Sequence, residues 1–465
     1  MKCPLSGIWR AFALASLLLA TACASLPDAP NSGVLFEGEA VSFDDVHGTV
    51  SAAKSAAIIA SLEVDSGASR MIHQHLAVEQ AINPDSPLVL GNALLLLEDG
   101  PATYRAILAA LAEAKDHINL ETFIFADDAI GNQFAEVLLA KQAAGVQVNL
   151  IYDSVGCLDT PLAFFARLEA GGVRVLEFNP VNPLAGDGDE WLLNNRDHRK
   201  LLVVDGRVAF LGGVNISETY ASSPFVHARK KDGAVSLGWR DTHLQVSGPV
   251  VAKFQALFLD TWARQNGPPL PPRDYFPPLN PEGKEIVRAM GSTSAAPHSV
   301  IYLTLLSAIA SAQRHINISN AYFVPDPQLL AHLTDAAHRG VTVTLLLPSR
   351  TDSWATFHAG RSHYSDLLKA GVNIYERQDA VMHSKTATID GLWSTIGSTN
   401  LDWRSFLHND ELNAILVGPN FARQMDAMFA RDLRHSKVIE YRRWRHRPLL
   451  SRIKEWIAVR GEYWL

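Results

Sequence analysis

The chain holds 465 residues, 48% of them hydrophobic and 19% charged, and carries a formal net charge of −7. That length accommodates two domain-sized cores. The acid surplus argues against a protein that grips nucleic acid by its phosphates, which calls for an excess of basic surface.

In chain order, Lys2 and Arg10 precede an apolar run from Ala11 to Leu19 and then Ala20-Thr21-Ala22-Cys23. The run falls far short of the roughly 20 residues that cross a bilayer. It reads as a secretory signal, and the small residues before Cys23 resemble a bacterial lipobox. Residues 1–22 are therefore expected to be a lipoprotein signal peptide, with Cys23 lipidated at the head of a tether and N-terminal extension over 23–75. An uncleaved anchor and cleavage elsewhere are the competing readings. Lipid chains anchor at about 0.8 kcal/mol per buried CH2. No acidic residue directly follows Cys23, so the expectation is an exported, membrane-anchored lipoprotein on the periplasmic face of the outer membrane, with the inner membrane as the alternative. With Cys3 removed and Cys23 modified, Cys157 would remain as a lone thiol, unable to form a disulfide within the chain and expected to be a buried packing residue.

From 76 to 265 the sequence alternates helical stretches with the strands HINLETFIF, VQVNLIYD and VRVLEFN. From 285 to 436 the same order returns with HINISNAYF, VTVTLLLP and VNIYER. AILAALAEAKDHINLETFIF answers LTLLSAIASAQRHINISNAYF, placing His117 opposite His315, both expected to be structural. Alternating strands and helices argue for a sheet between helix layers. The expected fold class is thus α/β: two duplicated α/β/α sandwich halves, related by a pseudo-twofold axis, with a shared central active site. The Pro-rich stretch 266–284 is the natural crossover between them. A tail over 437–465 follows; from Arg431 onward ten Lys and Arg stand against four Asp and Glu, and Leu449, Leu450, Ile453, Trp456 and Ile457 recur at helical spacing. That pattern suits either an interfacial helix on anionic lipid or a terminal helix docked on the protein body.

Each half ends its strand series with one signature, His-x-Lys-x4-Asp: His198, Lys200 and Asp205 in DHRKLLVVDG, then His383, Lys385 and Asp390 in MHSKTATIDG. Each is followed by Gly-x-x-Asn, ending at Asn215 and Asn400. A single His-x-Lys on a strand is commonly an ordinary edge pair; two copies in one frame are not chance. Side chains alternate along a strand, so the histidine and lysine of each copy share a face. Asp205 and Asp390 complete the catalytic signature, yet each precedes a glycine and falls on the opposite parity. The Asp-Gly pair signals a tight hairpin, which makes these aspartates turn-fixing residues and not proton carriers. Two imidazoles let one act as nucleophile while the other serves as general acid. Lys200, Lys385, Asn215 and Asn400 are candidate phosphate-binding groups, and neither metal nor cofactor is required. A nucleophilic imidazole needs an acceptor on its second nitrogen. Asp241 and Glu411, each seven residues before the glycine of a Gly-Pro pair, are the candidate histidine-orienting acids. Gly213 and Ser398 would let the backbone approach a phosphate, or serve a simple turn.

These motifs resemble the phospholipase D superfamily. With ETFIFADDAIGNQFAEVLLAKQAAGVQVNLIYDSVG, GGVRVLEFNP, LPSRTDSWATFHAGRSHYSDLLKAGVNIYE and GSTNLDWRSFLHNDELN, the resemblance narrows to its bacterial cardiolipin synthases and runs from about residue 88 to 465. It implies a two-step exchange through a phosphatidyl-histidine, with His198 as nucleophile and His383 as acid then base, turning two phosphatidylglycerol molecules into cardiolipin and glycerol. Membrane phospholipids and the membrane surface would be its partners, nucleic acid would not. The chain departs from the better-known synthases, which begin with membrane-spanning helices. The same motifs would serve a phospholipase D that passes the phosphatidyl group to water or another alcohol. A nuclease is disfavoured by the export signal and the acidic charge. A non-catalytic lipid-binding lipoprotein is disfavoured by the intact residues of both copies.

Overall fold

In the computed structural model the described residues are 26, 41–66, 75–77, 80–83, 86–182, 192–221, 228–229, 235–236, 238–296 and 298–465. The proposed signal peptide, Cys23 and residues 24–25, 27–40 and 67–74 of the tether and extension lie outside them. The first half contributes strands β1 (Leu88–Leu97), β2 (His117–Thr122), β3 (Gln147–Asp153), β4 (Arg174–Phe178), β5 (Lys200–Val204), β6 (Val208–Gly212) and β7 (His243–Ser247). They hydrogen-bond in the order β1-β7-β6-β5-β2-β3-β4. The second half contributes β8 (Glu285–Ser292), β9 (His315–Ser319), β10 (Thr342–Pro348), β11 (Asn373–Arg377), β12 (Thr386–Ile389), β13 (Trp393–Gly397) and β14 (Asn409–Val417). Their order, β8-β14-β13-β12-β9-β10-β11, repeats the first position for position. The fold is therefore α/β with duplicated halves. A short strand, β15 (Ser436–Val438), extends the second sheet beyond β11.

β1 joins the two sheets. Its first residues pair with β8 and its last five with β7. The β8 pairing shifts register between Val89 and Asn92, across Gly91, whose φ of +86° few residues with a Cβ adopt, and the partner changes at Ala93. The buried Asn92 amide then ties the junction, donating to the carbonyls of Val89 and Glu285 and accepting from the Val250 amide.

Helices cover the sheets, so strands such as β2, β3 and β14 are buried along their whole length, as expected when both faces are covered. Strand parity sorts the cores. Leu202 and Val204 of β5 face the outer helices of the first half. Leu201 and Val203 face a central core with Ile396, Leu412 and two helices, Val251–Arg264 and Pro419–Arg434, that follow β7 and β14. That central core welds the halves.

Both motif hairpins turn on Asp-Gly. Asp205 and Gly206 have φ of +52° and +62°, Asp390 and Gly391 +58° and +69°, the paired positive φ of a type I′ turn. Each carboxylate then reaches across to the start of the neighbouring strand. Asp205 accepts from the backbone amides of Lys115, Asp116 and His117. Asp390 accepts from those of Gln313, Arg314 and His315 and from the His75 ring at 3.2 Å. Burial pushes the Asp390 carboxyl up, but His75 and these amides outweigh it and hold it below its ordinary value. Charge-assisted bonds of this kind contribute about 1.5–3 kcal/mol each. Asp390→Ala is expected to destabilise the protein by about 3 kcal/mol, and by more than the same change at the less buried Asp205. The lowered carboxyl means this stabilisation is complete at neutral pH, begins to fade below the ordinary carboxyl value of about 4 and is lost as pH falls through the lower folded value. Urea unfolding midpoints of wild type and the two variants at pH 7 and well below pH 4 measure both effects.

Candidate active site

Register places the motifs at one end of the sheets. Lys200 lies opposite Thr122, the last residue of β2, and Thr386 lies opposite Ser319, the last of β9. The motif residues thus stand at the carboxyl ends of the parallel strands, where open α/β sheets gather their ligands.

The two halves then exchange contacts. Residues 196–197, leading into the first motif, pair in parallel with 409–410 of β14, and 381–382, leading into the second, pair with 239–240 ahead of β7. The His198 amide donates to the Asp410 carbonyl at 2.9 Å, and the His383 amide to the Arg240 carbonyl at 2.8 Å. One residue beyond each carbonyl sits an acid. His198 Nδ1 lies 3.1 Å from both carboxylate oxygens of Glu411, and His383 Nδ1 lies 2.6 Å from Asp241 Oδ2. Each histidine is therefore oriented by the acid of the other half. With Nδ1–H donating to the carboxylate, the lone pair is left on Nε2.

All six groups are buried, and the electrostatics follow. Burial, aided by the Lys200 charge, lowers His198 to about 4, so the ring is neutral at neutral pH. Burial and Lys385 lower His383 as well. Burial lowers Lys200 to about 7 and Lys385 to about 8. Glu411 goes the other way: burial raises it, but His198 and Lys200 prevail and hold it at about 2. Burial also opposes the Asp241 charge, which His383 and Lys385 keep below the ordinary value. The Lys385 charge acts on His198 and that of Lys200 on His383, so the two motifs form one electrostatic unit. Lys200 Nζ donates to the His198 carbonyl at 2.5 Å and lies 5.1 Å above the Phe123 ring. Lys385 Nζ donates to the His383 carbonyl at 2.7 Å and stands 3.1 Å from His383 Nε2. His198 Nε2 has no hydrogen-bond partner among the described residues. Such a set can attack an electrophile, protonate a leaving group and neutralise an anion in one cavity.

The remaining candidates divide. Asn400 has its amide oxygen buried without a partner among the described residues. The Asn215 amide is engaged, donating to Tyr220 Oη at 2.8 Å and accepting from the Ile124 amide at 3.3 Å. The motif aspartates, counted with the catalytic signature, are corrected in place: both sit at the far tips of their hairpins, bonded to backbone amides. Gly213 and Ser398 serve the orienting acids. A Cβ on Gly213 would lie 2.1 Å from Asp241 Oδ1, while the Ser398 hydroxyl donates to Glu411 Oε2. Asp241, one methylene shorter, needs its neighbouring backbone close; Glu411 leaves room for a hydroxyl.

Sequence reasoning missed the walls and the brace. Phe123 meets the His198 ring edge to face at 5.1 Å, and Tyr220, Trp239 and Tyr322 surround His383 at centroid distances of 5.5, 5.0 and 6.2 Å. Trp239 stands two residues before an orienting acid and Phe123 just after β2, places a reader could have marked. Arg199, between the motif histidine and lysine, points to the other face and ties the halves, donating to Glu411 O, Thr261 Oγ1 and Ser292 O. Beside it burial pushes the Glu121 and Asp197 carboxyls up. Cys157 is buried, its thiol pushed up to about 12 by burial, as a packing residue should be.

The sequence family described as "Cardiolipin synthase, PLD-like domain" matches residues 107–224 and 305–433, one match in each half. The chain belongs to this family. It is 36% identical over 375 residues to a cardiolipin synthase of Geobacillus kaustophilus, covering 80% of this chain and 72% of the relative. It is also 36% identical over 355 residues to cardiolipin synthase A of Pseudomonas putida, covering 76% and 70%. The crystal structure of phosphatidylserine synthase from Haemophilus influenzae superposes with a TM-score of 0.61 at 13% identity, over 84% of this chain and all of that one, a likeness of fold. The protein is thus a phospholipase D-type phosphatidyltransferase of cardiolipin synthesis, and its substrates are phospholipids. Membership corrects the expected outer-membrane lipoprotein, because cardiolipin synthases are typically inner-membrane or cytoplasmic-side enzymes. No helix among the described residues is long and apolar enough to cross a membrane.

The Gly213 contact is directly testable. Gly213→Ala is expected to push Asp241 off His383 and lower turnover about 100-fold, whereas Ser398→Ala, which removes a hydroxyl without a clash, is expected to cost less than about tenfold. Rates of cardiolipin formation, with circular dichroism to confirm folding, separate the two.

Proposed function

We propose that the enzyme joins two phosphatidylglycerol molecules into cardiolipin and releases glycerol, with the phosphatidyl group held on His198 between the steps. The observation that carries this reading is the unequal state of the two Nε2 atoms. That of His198 has no partner among the described residues and belongs to a ring held neutral, while that of His383 lies against Lys385.

In the first step His198 Nε2 attacks phosphorus, a P–N bond forms, and the P–O bond to the glycerol headgroup breaks. His383 enters this step as the imidazolium, a form that burial disfavours but that the 2.6 Å contact with Asp241 and the charge of the bound phosphodiester favour, and its Nε2 proton goes to the departing oxygen. In the second step His383 removes a proton from a glycerol hydroxyl of a second phosphatidylglycerol. That oxygen attacks phosphorus and the P–N bond breaks, so one phosphodiester replaces another and no activated donor is consumed. Lys200, Lys385 and the Asn400 amide hold the non-bridging oxygens, where their charge and polarity count most as negative charge builds.

Purified protein given phosphatidylglycerol alone is expected to yield cardiolipin and glycerol in equal amounts; phosphatidic acid in their place would mean water is the acceptor. His198→Ala should lower turnover at least about 1000-fold. In His383→Ala, mass spectrometry of acid-sparing digests should find the phosphatidyl adduct on the His198 peptide; an adduct on the other histidine in the His198→Ala protein would reverse the roles.

The pH profile follows from the same charges. His198 attacks only when neutral, so kcat/KM should fall as pH drops through about 4. As pH rises kcat/KM should fall again, first through the lowered value of His383, which must enter protonated, and then past about 7, where Lys200 loses its charge. The free-enzyme profile is read from kcat/KM, measured on detergent-dispersed substrate.

A further inference from the structure

The C-terminal helix Leu449–Ala458 is turned inside out. A helix on a globular protein normally buries its apolar stripe. Here Glu455 and Ala458 are buried, Glu455 bonded by Arg447 at 2.6 Å and Ala458 packed with Val324 and Ala359. Leu449, Leu450, Ile453, Trp456 and Ile457 face outward, 44 to 69% exposed. Trp354, at the start of the helix on which this one rests, and Trp464 are also more than half exposed. Contiguous apolar surface of this kind marks an interaction site.

Its place in the molecule says more. The Arg404 amide donates to the Leu465 carbonyl at 3.0 Å, and the Trp403 ring lies 5.5 Å from that of Tyr463. Residues 403–408 lie within the segment 401–410 that joins Asn400 to Glu411, so the tail is fastened to the wall of the active site. Further exposed leucines stand on the loop leaving β3 (Leu158), at the first residue of the helix after it (Leu162) and on the segment entering the first motif (Leu192, Leu193). Strand direction puts these segments at the carboxyl ends of the sheets, the end that carries both histidines.

The charge beside the helix completes the surface. An open depression of about 370 Å³ is lined by Arg350, Arg361, Lys437, Arg443 and Arg447 against two acids, Glu376 and Glu440. Arg350 and Lys437 hold no salt bridge among the described residues. Trp444 underlies it, with the guanidinium groups of Arg361 and Arg447 over its ring at 4.9 and 4.4 Å. Basic groups beside outward Trp, Leu and Ile match a headgroup layer above acyl chains.

We propose that this surface rests on an anionic lipid bilayer. The helix lies in the interface with its apolar face among the acyl chains, the basic depression meets the headgroups, and the mouth of the site faces the membrane. The docking supplies the route for lipid in the proposed reaction, but does not depend on that reaction.

The test is sedimentation of the full chain with vesicles of phosphatidylglycerol or phosphatidylcholine. Wild type should bind the anionic vesicles about tenfold more tightly and release them as salt rises. Ile453→Glu with Trp456→Glu, both at exposed positions, should weaken vesicle binding at least about tenfold and slow turnover on vesicles in proportion. Turnover on detergent-dispersed short-chain substrate should stay unchanged. Arg350→Glu with Lys437→Glu should remove the preference for the anionic vesicles. Unaltered vesicle binding by the helix variant overturns the proposal, as does a wild-type dimer that this variant turns into monomers, since the patch would then join two copies. Failure of the proposed reaction would show differently, as intact vesicle binding without cardiolipin.

Discussion

The structure turns on a crossed pair of contacts: His198 to Glu411, and His383 to Asp241. Neither half holds its own histidine in register. Each supplies the acid, and the backbone carbonyl just before it, that position the ring of the other. The central core, the Arg199 brace and the shared strand β1 all keep the halves at one separation, which these short contacts demand. A shift of one half against the other would loosen both rings together.

Crossing also explains the charge state of the site. Four ionisable groups of the motifs and two acids share one buried volume, and burial works against every charge. Two anions and two cations can coexist there because each stands near the others, leaving the histidines neutral. An arriving phosphodiester would add one negative charge facing both lysines, a direction that favours the protonated imidazole needed to expel an alcohol. Exchange chemistry suits such a site, since the charge that enters with the first lipid leaves with the product.

Much of this was legible in the sequence. The repeated His-x-Lys-x4-Asp frame pointed to the two histidine–lysine pairs that the fold brings into one electrostatic unit, the alternation of strands and helices gave the duplicated α/β halves, and the alignment on the Gly-Pro pairs found both acids that contact the histidines. Which acid serves which histidine was not legible, because the pairing spans 213 and 142 residues and no local pattern encodes it. Asp-Gly announced the hairpins, but the amides that Asp205 and Asp390 hold belong to strands far back in the chain. Helical spacing in the tail revealed an apolar stripe without telling which side faces water; the buried Glu455 reverses the usual answer. The N-terminal reading rested on a short local pattern at Cys23, and kinship over most of the chain overruled the location it suggested.

The reciprocal contacts obey the rule of a twofold dimer, in which a residue of one copy touches a partner whose own equivalent touches back. Here a single polypeptide plays both subunits, with 266–284 as the tie. True symmetry would force the two acids, and the residues behind them, to be identical. The tie lifts that requirement, and the chain has used the freedom: aspartate beside glycine on one side, glutamate beside serine on the other. Two chemically unequal jobs, attack and protonation, can thus be assigned permanently to two sites that a symmetric pair of chains would have to share at random.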